Sequence, residues 1–109
     1  MSMYHPTLTQ EKWDSLSIYE QLGNIGSEVS RAIIWRSKNV EYMKLAVFRA
    51  LELLDLSIGD QKNVQNLKEI LRVRECIADY FLGDNIYKFT DQWWNKYFME
   101  YAIAARRHT

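Results

Sequence analysis

One cysteine, one proline, four glycines and two histidines are all that this 109-residue chain holds of the residues that most often mark a disulfide scaffold, a turn-rich β fold or a metal site. Cys76 has no second thiol to join, so no internal disulfide forms, which fits a reducing compartment; the absence of a charged-then-apolar leader makes a cytoplasmic protein the expectation. So little Gly and Pro cannot supply the turns of an all-β domain. No apolar run approaches the ~20 residues that span a bilayer, and no charged-then-apolar leader opens the sequence, so no membrane partner is expected. An excess of one charge is missing too: 14 Lys+Arg balance 14 Asp+Glu, which removes any global field for nucleic acid. A local basic patch can still hold a phosphate backbone.

The histidines, His5 and His108, lie near the two ends. No helical stretch therefore carries the Glu-x-x-His pairs of a carboxylate-bridged di-iron bundle, the Arg/His pair of small helical ribonucleases, or a base for a Ser or Cys nucleophile. Cys76 has no Cys or His at ligand spacing. Gly23-Asn24-Ile25-Gly26 falls inside a helical pattern rather than after a strand, so it is no phosphate loop. No catalytic, cofactor-binding or metal-ligating residue is assigned, no cofactor is expected, and the function read from the sequence is non-enzymatic.

What is present is periodicity. Hydrophobic residues make up 48% of the chain, enough for one core at this length and too many for disorder. Residues 1–13, with Pro6 and frequent Ser, Thr and Gln, read as a loose arm, and residues 14–109 as the folded domain. Ile18, Leu22, Ile25, Val29 and Ala32/Ile33 recur at steps of three and four and predict a first helix over about 15–37, capped by Asp14 or Ser15. Gly23 and Gly26 each cost about 1 kcal/mol there relative to Ala, which points to a close backbone approach. Val40, Val47, Phe48, Leu51, Leu54 and Ile58 predict a second helix over 40–58, capped by Asn39 and ended by Gly59-Asp60. Leu45, Leu53 and Leu56 lie on its other side, so this helix expects cover on two flanks. Leu67, Ile70, Leu71, Ala78 and Phe81 predict a third helix over about 63–81, followed by a Gly83-Asp84-Asn85 turn. Trp94, Tyr97, Phe98, Tyr101, Ala104 and Ala105 predict a fourth over about 91–107, capped by Thr90 or Asp91. Short breaks between long helices make antiparallel neighbours, so the expected fold is all-α, an up-and-down antiparallel four-helix bundle.

Charges and aromatics give the candidate sites. Asp55 and Arg74 fall within the apolar arcs of the second and third helices. Either they reach water at a bundle end or they form a buried ion pair, which Arg36 would be able to join. Glu28, Arg31, Lys68, Arg72, Glu75 and Asp79 read as solvated decoration. Arg36, Lys38, Arg72, Arg106 and Arg107 are the candidate nucleic-acid contacts. Trp35, Tyr80, Tyr87 and Trp93 lie outside the core arcs, with Met99 and Ile103 behind the fourth helix. Apolar surface of this kind marks an interface, and Trp35, Leu45, Leu53, Leu56, Trp93 and Ile103 are the candidate oligomer contacts, unless the second helix is simply central in a monomer.

Three stretches carry a resemblance: Asn24-Ile25-Gly26 with Glu28; Arg36-Ser37-Lys38 with Glu41-Tyr42; and Arg49-Ala50-Leu51-Glu52-Leu53. In this order they are similar to the Asn-Ile-Ala-Glu run, the basic-Ser-Lys helix break and the Ser-Leu-x-Glu-Leu stretch of the four-helix-bundle proteins encoded in intervening sequences of large-subunit ribosomal RNA genes. The accessory variability protein of diversity-generating retroelements is related to that group. The resemblance covers under half of the chain, and Ser27 interrupts the first motif. It implies a non-enzymatic homo-oligomer, commonly a ring of five, and an accessory role toward nucleic acid or a reverse transcriptase, with Arg36 and Lys38 as the chief carry-over candidates. The function expected is thus a self-assembling adaptor or accessory factor that binds a protein or nucleic acid. The alternative is a helical partner or antitoxin-like subunit of a nucleotidyltransferase or other enzyme, with a polar site around Asp55/Arg74.

Overall fold

Local chemistry sets the helix ends. Ser17, not Asp14 or Ser15, caps the first long helix, because a Glu stands three residues on. The Ser17 hydroxyl accepts from the Glu20 N–H while the Glu20 carboxylate accepts from the Ser17 N–H, a reciprocal capping box. Asn39 caps the next helix through the Tyr42 N–H, and Thr90 caps the last through the Trp93 N–H. The computed structural model describes residues 4–107 as α1 (Gln10–Asp14), α2 (Ile18–Trp35), α3 (Val40–Ile58), a 3₁₀ turn (Gln61–Asn66), α4 (Leu67–Leu82) and α5 (Asp91–Arg107). His108 and residues 1–3 of the expected arm lie outside the described residues. No strand occurs among the described residues, and none of their helices is long and apolar enough to cross a membrane.

The four long helices alternate in direction around a core of Leu22, Ile25, Val29, Val47, Leu54, Ile70, Ile77, Trp94 and Phe98. α2 is central, packing chiefly against α3 and α5, and α3 packs in turn against α4. The end of α2 meets the start of α5 through Arg36 and Asp91, whereas Gly23 near its start lies against Ala102 near the end of α5. Those two contacts fix the antiparallel sense.

Several expectations are corrected by this packing. The 1–13 arm is not loose throughout: Trp13 in α1 is only 2% exposed, and its indole N–H donates to Ser57 Oγ at 2.9 Å. One isolated Trp has no periodic partner to announce its burial. The third predicted helix begins later, at Leu67, because Asp60 caps a 3₁₀ turn that draws Asn63 inward. Val40, Phe48 and Leu71 leave their predicted core arcs for the surface. Glu28, read as solvated, is buried at 8% exposure with Arg31 bonded to its Oε1 at 2.5 Å.

A polar knot closes the end where α1, the start of α2 and the end of α3 meet. Gln21 is fully buried there. Its amide nitrogen donates to Asp60 Oδ2 at 2.7 Å and to the Trp13 carbonyl at 3.1 Å, and its oxygen accepts from Asn63 at 2.7 Å. Asn63 also donates to the Ser57 carbonyl at 3.0 Å. A buried amide left alone costs about 1–3 kcal/mol; bonded on both faces it fixes the mutual position of three elements.

The two helical glycines separate cleanly. A Cβ at Gly26 would stand 2.5 Å from Phe98 Cβ, so the close approach is real and joins α2 to α5 within one chain. At Gly23 the nearest atom is Ala102 Cα at 3.8 Å, ordinary contact. Gly26→Ala is therefore expected to destabilise by about 1–3 kcal/mol through overpacking, while Gly23→Ala stabilises by about 0.5–1 kcal/mol through helix propensity. Urea unfolding followed by circular dichroism reads both; equal effects at the two sites would refute the assignment.

Candidate functional site

Asp55 and Arg74 do find each other. Arg74 Nε donates to Asp55 Oδ1 at 2.6 Å and its terminal nitrogen to Oδ2 at 3.1 Å, a two-pronged bridge from α4 to α3. The pair is not buried: 36% of the Arg74 side chain and 56% of Asp55 meet solvent. The hydrogen bond to Asp55 raises the Arg74 guanidinium further above its usual range. Water screens such a bridge, which is worth at most about 1 kcal/mol. It ties two helices and leaves both groups satisfied.

Arg36 does not join it. It turns to the opposite end of the bundle, where it and Tyr80 both donate to Asp91 Oδ1. The guanidinium also lies over the Tyr80 and Phe81 rings at 5.0 and 5.3 Å. Partial burial opposes ionisation of Asp91, but the Tyr80 and Arg36 hydrogen bonds outweigh it and hold the carboxyl below the ordinary range. This node joins the ends of α2 and α4 to the start of α5.

The other candidate cations do not converge. Lys38 follows α2 at the Arg36 end, whereas Arg106 and Arg107 close α5 at the far end of a helix of 17 residues, about 25 Å away. Arg72 sits midway along α4. The candidate interface residues separate as well. Leu53 is 4% exposed and lines a crevice with Leu8, Trp13 and Leu16, so the second flank of α3 is covered there by the chain's own N-terminal segment. Leu56 is half-buried, and its carbonyl accepts from Gln10 at 2.8 Å. Trp35 and Leu45 lie along one surface, Trp93 and Ile103 along α5.

Two of the sequence candidates, Arg72 and Trp93, meet in a cleft between α4 and α5. The cleft has a volume of about 280 Å³ and is lined by Glu69, Arg72, Val73 and Cys76 from α4, Trp93, Trp94 and Tyr97 from α5, and Phe89 from the loop between them. Val73, Cys76 and Trp94 are buried and form its floor; Glu69, Arg72 and Trp93 are exposed at its mouth. Trp93 and Tyr97 stack at 5.2 Å and 9°, and Phe89 tilts against Trp93 at 4.4 Å. Asn85, in the left-handed region at φ 51°, holds Phe89 by both backbone groups: its Oδ1 accepts from the Phe89 N–H and its Nδ2 donates to the Phe89 carbonyl, each at 3.0 Å.

The electrostatics of the cleft are uneven. Glu69 Oε2 accepts from Tyr101 Oη at 3.1 Å, which steadies one side of the mouth. Arg72 has no carboxylate within ion-pair distance among the described residues. Burial pushes the Cys76 thiol up, ahead of the opposing contact with Arg72, so the sulfur stays protonated. Burial also drives the Tyr97 phenol far above its usual value. The Trp94 indole N–H and the Tyr97 hydroxyl are both buried without a hydrogen-bond partner. Among the described residues no group of three His, Cys, Asp or Glu side chains is placed to hold a metal ion.

Sequence reasoning named two of these eight lining residues as site candidates. The signal for the rest was the spacing 69, 72, 73, 76 on α4, one stripe at steps of three and four, facing 93, 94, 97 on α5. A stripe mixing Glu, Arg, Val and Cys reads as neither core nor surface, and that ambiguity is the mark of a cleft edge.

Comparison with family models, with curated proteins and with solved structures gives no match to this chain.

The Arg36–Asp91–Tyr80 node sets an acid limit on stability. A carboxyl held below its unfolded value, about 3.9, stabilises fully above that pH and loses its contribution as pH falls through the depressed folded value. Asp60 acts in the same direction: burial opposes its ionisation, but hydrogen bonds from Lys62 and Gln21 prevail. The urea midpoint is expected to stay level from neutral pH down to about pH 5 and to fall below about pH 4. Asp91→Asn should lower the neutral plateau and flatten the acid limb, and a limb unchanged in slope would exclude Asp91 from it.

Proposed function

We propose that this chain is a non-enzymatic helical bundle that assembles with copies of itself and serves as an adaptor. The observation that supports this reading is a band of large apolar side chains left outside the filled core. Tyr42, Leu45 and Phe48 follow one another at steps of three along α3, and all are exposed, Tyr42 at 52%. Trp35 extends the band at one end, edge-on to Tyr42 at 4.9 Å, and Tyr4 extends it at the other, stacked on Phe48 at 5.9 Å. Ile34 and Val40, at the same end of the bundle as Trp35, are also exposed, at 55% and 50%. Single exposed apolar residues need no explanation, but a continuous band with aromatics at its centre is the composition of an interface.

A stripe along one helix suits a contact that repeats, either a two-fold pair or one step of a closed ring. Trp35 and Leu45, expected as oligomer contacts, belong to it. Leu53 serves the core instead, so the assembly surface is narrower than the helix pattern implied.

Sedimentation with light scattering tests the proposal. The wild-type chain is expected to run at a multiple of 13.0 kDa. Tyr42→Glu combined with Leu45→Glu should return it to a single copy with helical circular dichroism unchanged, because both positions are exposed. A wild-type protein of single mass at high micromolar concentration, or a double variant that still assembles, would overturn it.

A further inference from the structure

The α4–α5 cleft is separate from the band on α3, and its chemistry selects an occupant of its own. Its size comes first. About 280 Å³ lies at the lower edge of ligand pockets, which run from about 300 to 1,000 Å³, so it admits one or two rings and excludes a dinucleotide or a haem. Its walls come second. Phe89, Trp93, Trp94 and Tyr97 supply four aromatic rings, the setting in which a flat ring gains most from stacking and edge contacts. Its mouth comes third. Arg72 and Glu69 stand three residues apart on the same face of α4, one turn of helix, with about 5–6 Å between their Cβ atoms.

That pair of charges is discriminating. A simple aromatic acid would satisfy Arg72 but meet Glu69, and a simple aromatic amine would satisfy Glu69 but meet Arg72. A molecule carrying a carboxylate and an ammonium on the same carbon, with a ring one methylene away, answers both. We propose that the cleft between α4 and α5 binds a free aromatic α-amino acid. Its ring enters among Phe89, Trp93 and Tyr97, its carboxylate meets Arg72, and its ammonium meets Glu69. Arg72 has no competing carboxylate to displace. Glu69 keeps Oε1 for the ammonium while Oε2 accepts from Tyr101.

The test is titration of the ¹⁵N-labelled full chain with L-phenylalanine, watching the indole N–H resonances. Those of Trp93 and Trp94 are expected to move, while that of Trp13, bonded to Ser57 in the polar knot, stays fixed. Phenylpropionate, which lacks the ammonium, and phenethylamine, which lacks the carboxylate, should each bind about tenfold or more weakly. Arg72→Met should abolish the response to L-phenylalanine, and Glu69→Gln should weaken it. Both positions are exposed, so circular dichroism should match wild type; Trp93→Ala supplies a second variant that removes a wall instead of a charge. No movement of Trp93 and Trp94 at millimolar ligand, equal response to all three compounds, or an Arg72→Met chain that binds as wild type would each overturn the assignment.

Discussion

The fold turns on the missing side chain at Gly26. Phe98 occupies the space where a Cβ would stand, and this lets α5 lie directly on α2. A helix seated so closely on one neighbour is not free to close equally on another. α5 packs on α2 far more than on α4, and the cleft left beside α4 is lined by rings instead of closed by interlocked aliphatic ridges. Trp94 forms part of the buried floor of that space, Tyr97 and Trp93 stack at its edge, and Phe89 is held in place by the Asn85 turn. The cleft follows from where the backbone approach was made tight and where it was not.

The two ends of the bundle have opposite characters. At one, Gln21, Asp60, Asn63, Ser57 and Trp13 share hydrogen bonds in a buried group that joins α1, α2, α3 and the 3₁₀ turn. At the other, Arg36, Tyr80 and Asp91 form a half-exposed node surrounded by apolar side chains, with Ile34, Val40, Leu82, Ile86 and Tyr87 open to solvent. Directional bonds define the first end. The second is defined by one charged node within an oily rim, and the band along α3 begins there. The proposed adaptor role draws on this asymmetry: one end is closed by buried hydrogen bonds and the other exposes apolar side chains.

Much of this was legible in the residues and some was not, for physical reasons. The limits of α3 and α5 could be read to the residue because a cap, an apolar period and a terminal Gly or Arg pair agree there. The pairing of Asp55 with Arg74 was legible too, since two charges within facing arcs need each other, but its exposure depends on helix rotation that no local pattern encodes. Trp13 was hidden because the burial of one aromatic in a five-residue helix is a tertiary fact. Residues 63–66 of the 3₁₀ turn read as the start of α4 because local preferences scarcely separate the two helix types. The cleft was least visible of all: it exists between two elements, and each wall alone resembles an ordinary helix face.

The polar knot also orders events in time. Gln21 and Trp13 lie near the start of the chain, yet Ser57, Asp60 and Asn63, which satisfy them, are made some forty residues later. A ribosome adding about 5–20 residues per second leaves that amide and indole without those partners for about 2–8 seconds. For that interval the apolar face of α2 has no α3 to cover it, and Gln21 stays bonded to water until Asp60 and Asn63 follow.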